Sequence, residues 1–492
     1  MQLNPLFNFS NSFAELPDRF HEKLLPTKVS APGLIAVNHE LAGELGLDAG
    51  FLESESGVAI LAGNRVPQGA EPLAMAYAGH QFGNLVPQLG DGRALLLGEI
   101  VDRSGKRRDL QLKGSGRTPF SRQGDGRAWV GPIIREYLVS EAMHGLGIPT
   151  TRALAAVTTG EPVYRESPLP GAILARVSDS HVRIGTFEYF AIRRDVEALA
   201  LLTSHVVSRL YPELAGTDRP ALDLLEKVAA RQATLVAAWM GAGFVHGVMN
   251  TDNVSLSGET IDYGPCAFMD HFNPTKVFSS IDHGGRYGYS NQLPICYWNL
   301  GRFAEALVPL IDDDRDRAIA LANEVVLGYL QQAVDAWSET FCRKIGVAGK
   351  PRGCRLVNRF TELLDRNRVD FTEAFRRLSS LPLEPAGQEE FCNYLGGSGD
   401  VRSWLQDWTR ESRKQKLPDA ERTASMKLVN PAVIPRNHLV EQAIDLAVQG
   451  DYSLFSQLNA AWKDPFADRP PEDRLRRPPA PEEVVTRTFC GT

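Results

Sequence analysis

A histidine, an asparagine and an aspartate carry the first legible chemistry of this chain. His246, Asn253 and Asp262 lie in FVHGVMNTDNVSLSGETIDYG, residues 244–264. An amide carbonyl and a carboxylate are the oxygen ligands that Mg²⁺ or Mn²⁺ takes. A histidine, an asparagine seven residues later and then D-x-G reproduce the layout of a phosphoryl-transfer loop, H-R-D-x-x-x-x-N followed by D-F-G. Here Asp262-Tyr263-Gly264 stands for D-F-G, and the position that should hold the base is Val248. A valine cannot accept a proton from an attacking hydroxyl. The metal ligands are kept and the usual base is missing, which implies nucleotide and metal binding with a reaction other than ordinary phosphorylation. Asp252, beside Asn253, is the carboxylate of this loop able to act as base.

Further groups suit a nucleotide. Lys113 is followed 23 residues later by Glu136, a spacing that resembles the strand-lysine and helix-glutamate ion pair of protein kinases. Gly90-Asp91-Gly92-Arg93-Ala94 recurs as Gly124-Asp125-Gly126-Arg127-Ala128. Both copies read as tight turns whose glycines let backbone N–H groups approach a ligand. Arg176 and Arg183 flank a strand-to-helix junction, and guanidinium forks match phosphate oxygens. Each of these is weak alone, since surface arginines and glycine turns are common; their joint occurrence with the His246 loop gives them weight. His80, His144, His181, His205 and His283 show no ligand spacing and read as structural.

The elements that must hold these groups follow from pattern. Residues 94–102 and 107–113 read as a hairpin turning at Arg103–Lys106. In its second strand Leu110 and Leu112 share one face, and Asp109, Gln111 and Lys113 the other. Residues 132–147 read as a helix with Glu136 on a stripe with Ile133, Val139 and Met143, a place where a carboxylate wants a cation. Loss of Lys113 would leave that carboxylate unpaired. Strands are expected at 152–159 and 171–178, and a long helix at 221–243 running into the His246 loop. The division reads as an irregular extension over 1–70 with a short helix near 39–47, a glycine-rich β-containing lobe over 71–185, a helical lobe over 186–420 and a C-terminal extension over 421–492, irregular and proline-rich from about 464.

Composition bounds the class. The chain has 492 residues, 43% apolar and 23% charged, with a formal net charge of -7. That balance argues against a general nucleic-acid partner. No run of about 18 apolar residues suggests a membrane span, and the N-terminus lacks the charged-then-apolar layout of a secretory signal. A cytoplasmic protein is expected. The six cysteines, Cys266, Cys296, Cys342, Cys354, Cys392 and Cys490, form no zinc-like cluster.

GHQFGNLVPQLGDGRA, LKGSGRTPFSRQGDGRA, HGVMNTDNVSLSGETIDYGPCAFMD and a cysteine close to the C-terminus together resemble the selenoprotein O family. The resemblance implies an α+β, protein-kinase-like two-lobed fold. It implies transfer of AMP from ATP to Ser, Thr or Tyr hydroxyls of proteins, with UMP from UTP in some bacterial members. It implies a nucleotide lying inverted relative to a kinase. Gly90, Gly92, Arg93, Asp125 and Gly126 would line the nucleotide pocket. Lys113 would contact phosphates and pair with Glu136, and Arg176 and Arg183 would hold the terminal phosphate. Asn253 and Asp262 would bind Mg²⁺ or Mn²⁺, and Asp252 would be the base. The family also implies a redox-sensitive contact between Cys266 and Cys490. A phosphotransferase with a displaced base and an inactive nucleotide-binding scaffold are the alternatives.

Overall fold

The computed structural model describes residues 7–349 and 351–489. Seven strands form a continuous antiparallel sheet. In spatial order they are β1 (His21–Lys23), β3 (Leu73–Met75), β6 (Ala94–Val101), β7 (Arg107–Lys113), β10 (Pro168–Ser178), β9 (Arg152–Tyr164) and β2 (Gly33–Val37). A short β8 (Ala128–Trp129) also pairs with β10. The expected 94–113 hairpin is present, with Ala94 opposite Lys113 and Val101 opposite Arg107.

Alternation along β7 decides the two faces. Leu110 and Leu112 join Ile173, Ala175 and Val177 of β10 in one apolar cluster. That cluster is closed by α1 (His39–Glu44), α2 (Ala49–Glu53) and α3 (Glu55–Leu61). Residues 7–70 are therefore no irregular extension. They supply two sheet strands and one covering layer, because the short apolar run Gly33–Val37 finds β9 as a partner. The opposite face carries Gln111 and Lys113, with Arg176 opposite Gln111 on β10.

On that second face lies α4 (Val130–Gly145), the expected helix that carries Glu136. Nearly every residue from Val130 to Met143 is buried, on all sides of the helix. Two late helices explain this: α15 (Asn437–Val448) and α16 (Ser453–Trp462) cover the side of α4 turned from the sheet. Arg135 on that side pairs with Glu441 and donates to Asn437 Oδ1 at 2.9 Å. A segment expected to be peripheral thus clamps the helix that bears a site residue.

The rest is helical. α5 (Ile184–Ala191), α6 (Val196–Leu210), α7 (Pro220–Ala242), α8 (Gln292–Ile311) and α9 (Arg315–Lys344) share one core. A second core gathers α10 (Arg352–Arg366), α11 (Phe371–Ser379), α12 (Glu389–Tyr394), α13 (Gly399–Lys414) and α14 (Asp419–Lys427). Helix α7 ends at Gly243, left-handed at φ 73°, and the chain turns into β11 (Phe244–Val245), which pairs with β12 (Ala267–Phe268). Over 465–489 the chain is irregular as expected apart from a 3-10 turn at Pro481–Glu483, yet pinned: Arg476 donates to both oxygens of Glu373 at 3.0 and 2.8 Å. Among the described residues no helix is long and apolar enough to cross a membrane.

One buried cation strains the second core. Lys344 is 3% exposed, and its ammonium lies over Phe375 at 4.5 Å and Phe371 at 5.6 Å. Burial pushes its pKa down to about 7. The unfolded chain therefore binds a proton between about pH 7 and the ordinary lysine value that the folded chain does not, so this position costs stability below about pH 7 and recovers it as pH rises. Lys344→Met should stabilise the protein at pH 7 by on the order of 4 kcal/mol, and the advantage should shrink toward pH 10. Thermal melts of both proteins across that range check the sign.

Candidate active site

Lys113 closes β7, and its side chain reaches across to α4, where Nζ lies 2.6 Å from Glu136 Oε2. The pairing read from spacing is formed. The same ammonium lies 2.8 Å from Asp262 Oδ1. Arg176 joins them, with Nη1 donating to Glu136 Oε1 at 2.9 Å and to Asp262 Oδ1 at 2.7 Å. Arg183 completes the set, donating to Asp262 Oδ2 at 2.9 Å. Three cations thus converge on Asp262, and two of them on Glu136. Glu136 would keep Arg176 if Lys113 were lost, which corrects the expectation that it would stand unpaired.

Burial works against charge on both carboxylates, but the cations outweigh it. Lys113, Arg176 and Arg183 hold Asp262 well below the usual carboxylate range, and Lys113 and Arg176 lower Glu136. The side chains of Arg176, Arg183 and Glu136 are 2, 3 and 4% exposed, against 21% for Asp262, so Asp262 is the member that reaches the open side. Its backbone is left-handed, φ 61°, as a short polar residue tolerates at a functional turn.

Three residues that sequence reasoning did not single out complete this cluster. Gln111 Oε1 accepts from Arg176 Nε and Nη2 at 3.1 and 2.6 Å, and Gln111 Nε2 donates to Asp91 Oδ2 at 3.1 Å. Arg183 lies over the Tyr77 ring at 4.6 Å and within 3.9 Å of Asp91. Period two already placed Gln111 on the Lys113 face, which was the available signal. Asp91 stood inside the first GDGR copy, and Tyr77 had no signal.

The His246 loop meets the cluster through backbone. His246 is fully buried and donates from Nε2 to the Ile261 carbonyl at 2.9 Å, locking the loop to the residue before Asp262. Ile184 N and Leu256 N donate to Val254 O and Val182 O, so Arg183 is fixed between two backbone bonds. Its Nη1 also donates to the Asp252 carbonyl at 2.9 Å, and one guanidinium therefore links Asp252 to Asp262.

Asp252 is 8% exposed. Gln81 Nε2 donates to its Oδ2 at 3.3 Å, and Oδ1 is buried with no hydrogen-bond partner among the described residues. Burial pushes its pKa up to about 6, beyond what Gln81 and Arg183 restore. Beside it runs a small hairpin, β4 (Gly79–Gln81) and β5 (Asn84–Val86). The hairpin is stapled to the loop: His80 N donates to Thr251 Oγ1 at 2.7 Å, and Glu188 accepts from Thr251 and sits 2.5 Å from His80 Nδ1. His80, read as structural from sequence, is a fastener of this loop.

The expected metal ligands have suitable chemistry. Asn253 Nδ2 donates to the Val248 carbonyl at 2.9 Å, and its Oδ1 has no hydrogen-bond partner among the described residues. An oriented amide oxygen and an ionised carboxylate are hard donors of the Mg²⁺ or Mn²⁺ type, and the residues fit such an ion.

The glycine turns serve the chain itself as well as any ligand. A Cβ on Gly90 would lie 2.4 Å from the Phe120 ring, and one on Gly126 would lie 2.2 Å from the Gly116 backbone. The first turn is bound to the second loop through Thr118 Oγ1, which donates to the Asp91 carbonyl at 2.7 Å, and through Ser121, which donates to Gly92 O. Arg93 is half-buried next to this turn, its carbonyl accepting from Gly114 N at 2.6 Å. Asp125 lies farther out, 44% exposed and paired with Arg165 at 2.8 Å. No hydrogen bond or ion pair joins Asp125 to the Asp262 cluster among the described residues. Cys266 is buried in the core just after the Asp262 turn, and Cys490 lies outside the described residues.

Residues 5–463 match the family model for protein adenylyltransferase SelO. The chain is 53% identical over 488 residues to a protein nucleotidyltransferase YdiU of Rhizobium etli (strain CIAT 652), covering 99% of this chain and 97% of that one. It is 54% identical over 491 residues to the protein of the same name from Bradyrhizobium sp. (strain BTAi1), covering 99% of each. The chain belongs to the SelO family and is a nucleotidyltransferase.

The hairpin wall yields a prediction. A Cβ on Gly79 would lie 2.4 Å from Asp252 Oδ1. Gly79→Ala should displace that carboxylate and leave the Lys113–Asp262 cluster intact. Transfer should fall by about 10²-fold, while stabilisation by ATP in a thermal-shift assay stays at the wild-type value.

Proposed function

We propose that this SelO-family chain transfers AMP from ATP to the hydroxyl of Ser, Thr or Tyr in other proteins. The observation that carries the proposal is the Arg183 guanidinium, which touches both the Asp252 backbone and the Asp262 carboxylate. It ties the loop residue Asp252 to one of the three cations that converge on Asp262. The fold we propose is kinase-like and two-lobed, with residues 71–185 as the sheet-bearing lobe and 186–420 as the helical one. The Lys113–Glu136 pair between strand and helix and the His246 tie to Ile261 support that reading.

In the proposed reaction Lys113, Arg176 and Arg183 hold the outer phosphates as point charge and forks. Asn253 and Asp262 hold Mg²⁺ or Mn²⁺, which when bound neutralises phosphate charge. Gly90, Gly92, Arg93, Asp125 and Gly126 line the rest of the nucleotide. The acceptor oxygen attacks the α-phosphorus, its bond to the β-bridging oxygen breaks, and pyrophosphate leaves. The acceptor proton passes to Asp252, whose Oδ1 has no competing hydrogen bond among the described residues. UTP would serve by the same steps as a UMP donor.

A redox control is part of the proposal. Thr488, two residues before Cys490, donates from Oγ1 to the carbonyl of Pro265, beside Cys266, at 2.6 Å. Thr488 N also donates to Phe278 O at 2.9 Å. This anchoring favours a Cys266–Cys490 link under oxidation that ties the tail to the segment after Asp262.

Two ATP samples, labelled at the α- or the γ-phosphate, separate the readings. Protein should take label from the α position alone. Asp252→Asn should lower transfer by about 10²- to 10⁴-fold with ATP binding kept. Asp262→Ala, or a chelator added to wild type, should abolish it. Label from the γ position would make the chain a phosphotransferase. ATP binding with no label from either position would favour a scaffold. Under oxidising conditions Cys490→Ser should keep the rate that wild type shows when reduced; equal loss in both would remove the redox link.

A further inference from the structure

We propose that the acceptor protein docks on a cationic ledge beside the catalytic loop, where Arg286 selects segments that carry a carboxylate side chain next to the acceptor hydroxyl. This rests on the protein-nucleotidyl-transfer reading above and deepens it. The ledge is built around Trp298. The Arg286 guanidinium stacks over that ring at 4.8 Å, Arg302 lies at 5.2 Å, and the His80 ring meets it edge-on at 5.3 Å. Arg302 is neutralised by Glu305 at 2.6 Å. Arg286 has no carboxylate within ion-pair distance among the described residues, and its Nε is buried with no hydrogen-bond partner there.

The position of this cation is set by the site. Asp282 accepts from the backbone N–H of Arg286 and of Tyr287, at 2.9 and 2.8 Å, which fixes the turn. Tyr287 OH donates to Asn250 Oδ1 at 2.6 Å, and Phe82 N donates to the same oxygen at 3.1 Å. Asn250 is two residues before Asp252, so loop, hairpin and Arg286 form one fastened unit. At the hairpin tip a Cβ on Gly83 would lie 3.5 Å from the guanidinium, and Leu85 on the same hairpin is 42% exposed. The nucleotide cluster has its own three cations, each already on Asp262, and Arg286 is not among them.

A half-buried guanidinium, stacked on an aromatic ring and with no carboxylate of its own among the described residues, is a receptor for a carboxylate fork. Trp and Arg are also the side chains that anchor protein interfaces. A basic flank on the acceptor would meet like charge there; an acidic one would meet the complement. The proposal places the selecting charge on the Asp252 side, where the attacking hydroxyl must arrive.

Three peptides test this, identical except for glutamate, alanine or lysine at the residues flanking one acceptor, each made with Ser, Thr and Tyr. The readout is label from the α-phosphate of ATP. Wild type should prefer the glutamate peptide over the lysine peptide by at least about fivefold, the size of one partly exposed ion pair, mainly through KM. Arg286→Glu should reverse that order, and Arg286→Gln should flatten it. Both variants should label the alanine peptide within about twofold of wild type and keep its melting temperature, which separates a lost receptor from a lost fold. Equal labelling of all three by wild type, or an order that Arg286→Glu leaves unchanged, would overturn the ledge alone. Failure of wild type to label any peptide or any protein in a cell extract would count instead against the transfer reading on which the ledge rests.

Discussion

Two buried carboxylates, Glu136 and Asp262, share three cations, and that charge balance governs how the rest of the molecule is arranged. A carboxylate out of water needs compensation on every side. Arg176 spans both carboxylates, and Lys113 does the same from the neighbouring strand. Such an arrangement tolerates little movement, since a partner shifted by an ångström leaves a charge uncovered. The surrounding structure supplies the required stiffness. Strands β7 and β10 fix Lys113, Gln111 and Arg176 by register, and α4 is enclosed between the sheet and α15–α16. Residues more than 300 positions apart in the chain, Arg135 and Glu441, hold the outer side of the helix whose inner side carries Glu136.

The same constraint gives Asp252, the proposed base, a physical setting. Val248 fills the place of the usual aspartate, and its backbone instead serves His246 Nδ1 and Asn253. The Asp252 carbonyl and the Asp262 carboxylate accept from the same Arg183 nitrogen, and Asp252 is walled by Gly79 and Gly185. A Cβ on Gly185 would lie 2.2 Å from the Ala78 carbonyl and 3.3 Å from Asp252 Cα. These two glycines exist because hairpin, helix α5 and loop approach one another closely there. Burial raises the Asp252 carboxyl, and a base with a raised pKa takes a hydroxyl proton more readily than an ordinary aspartate does.

Much of this was legible in sequence where a local rule was strong. Period two in RRDLQLK put Gln111 and Lys113 on one face, and the 23-residue step led from the end of that strand to Glu136 on α4. The D-Y-G turn and the His-to-Asn step placed the loop. What escaped depends on distant segments. Gly33–Val37 is too short to announce an edge strand, and its partner lies more than 100 residues on. Stripe reading of α4 found a face for Glu136 but could not foresee that Arg135, one residue earlier, would also be buried against the C-terminal helices. His80 looked inert because its role appears only when the hairpin meets Thr251 and Glu188. The second glycine turn was read by analogy with the first, yet Asp125 faces Arg165 at an exposed corner while Asp91 lies inside the cluster. A five-residue echo does not carry its surroundings with it.

The charge balance also bears on why a divalent metal belongs to the proposed reaction. Lys113, Arg176 and Arg183 are matched by Glu136, Asp262 and, nearby, Asp91, so the pocket offers little surplus positive charge. A triphosphate brings about four negative charges and cannot enter a neutral, partly dry pocket without compensation. Asp262 is the one member with substantial exposure, and both of its oxygens are engaged by cations. A divalent ion held by Asp262 would supply positive charge to the phosphates and would leave Lys113, Arg176 and Arg183 available to phosphate oxygens. Asp262 would then be the exchange point between two ways of balancing the same charge, at a turn where its backbone is left-handed, φ 61°.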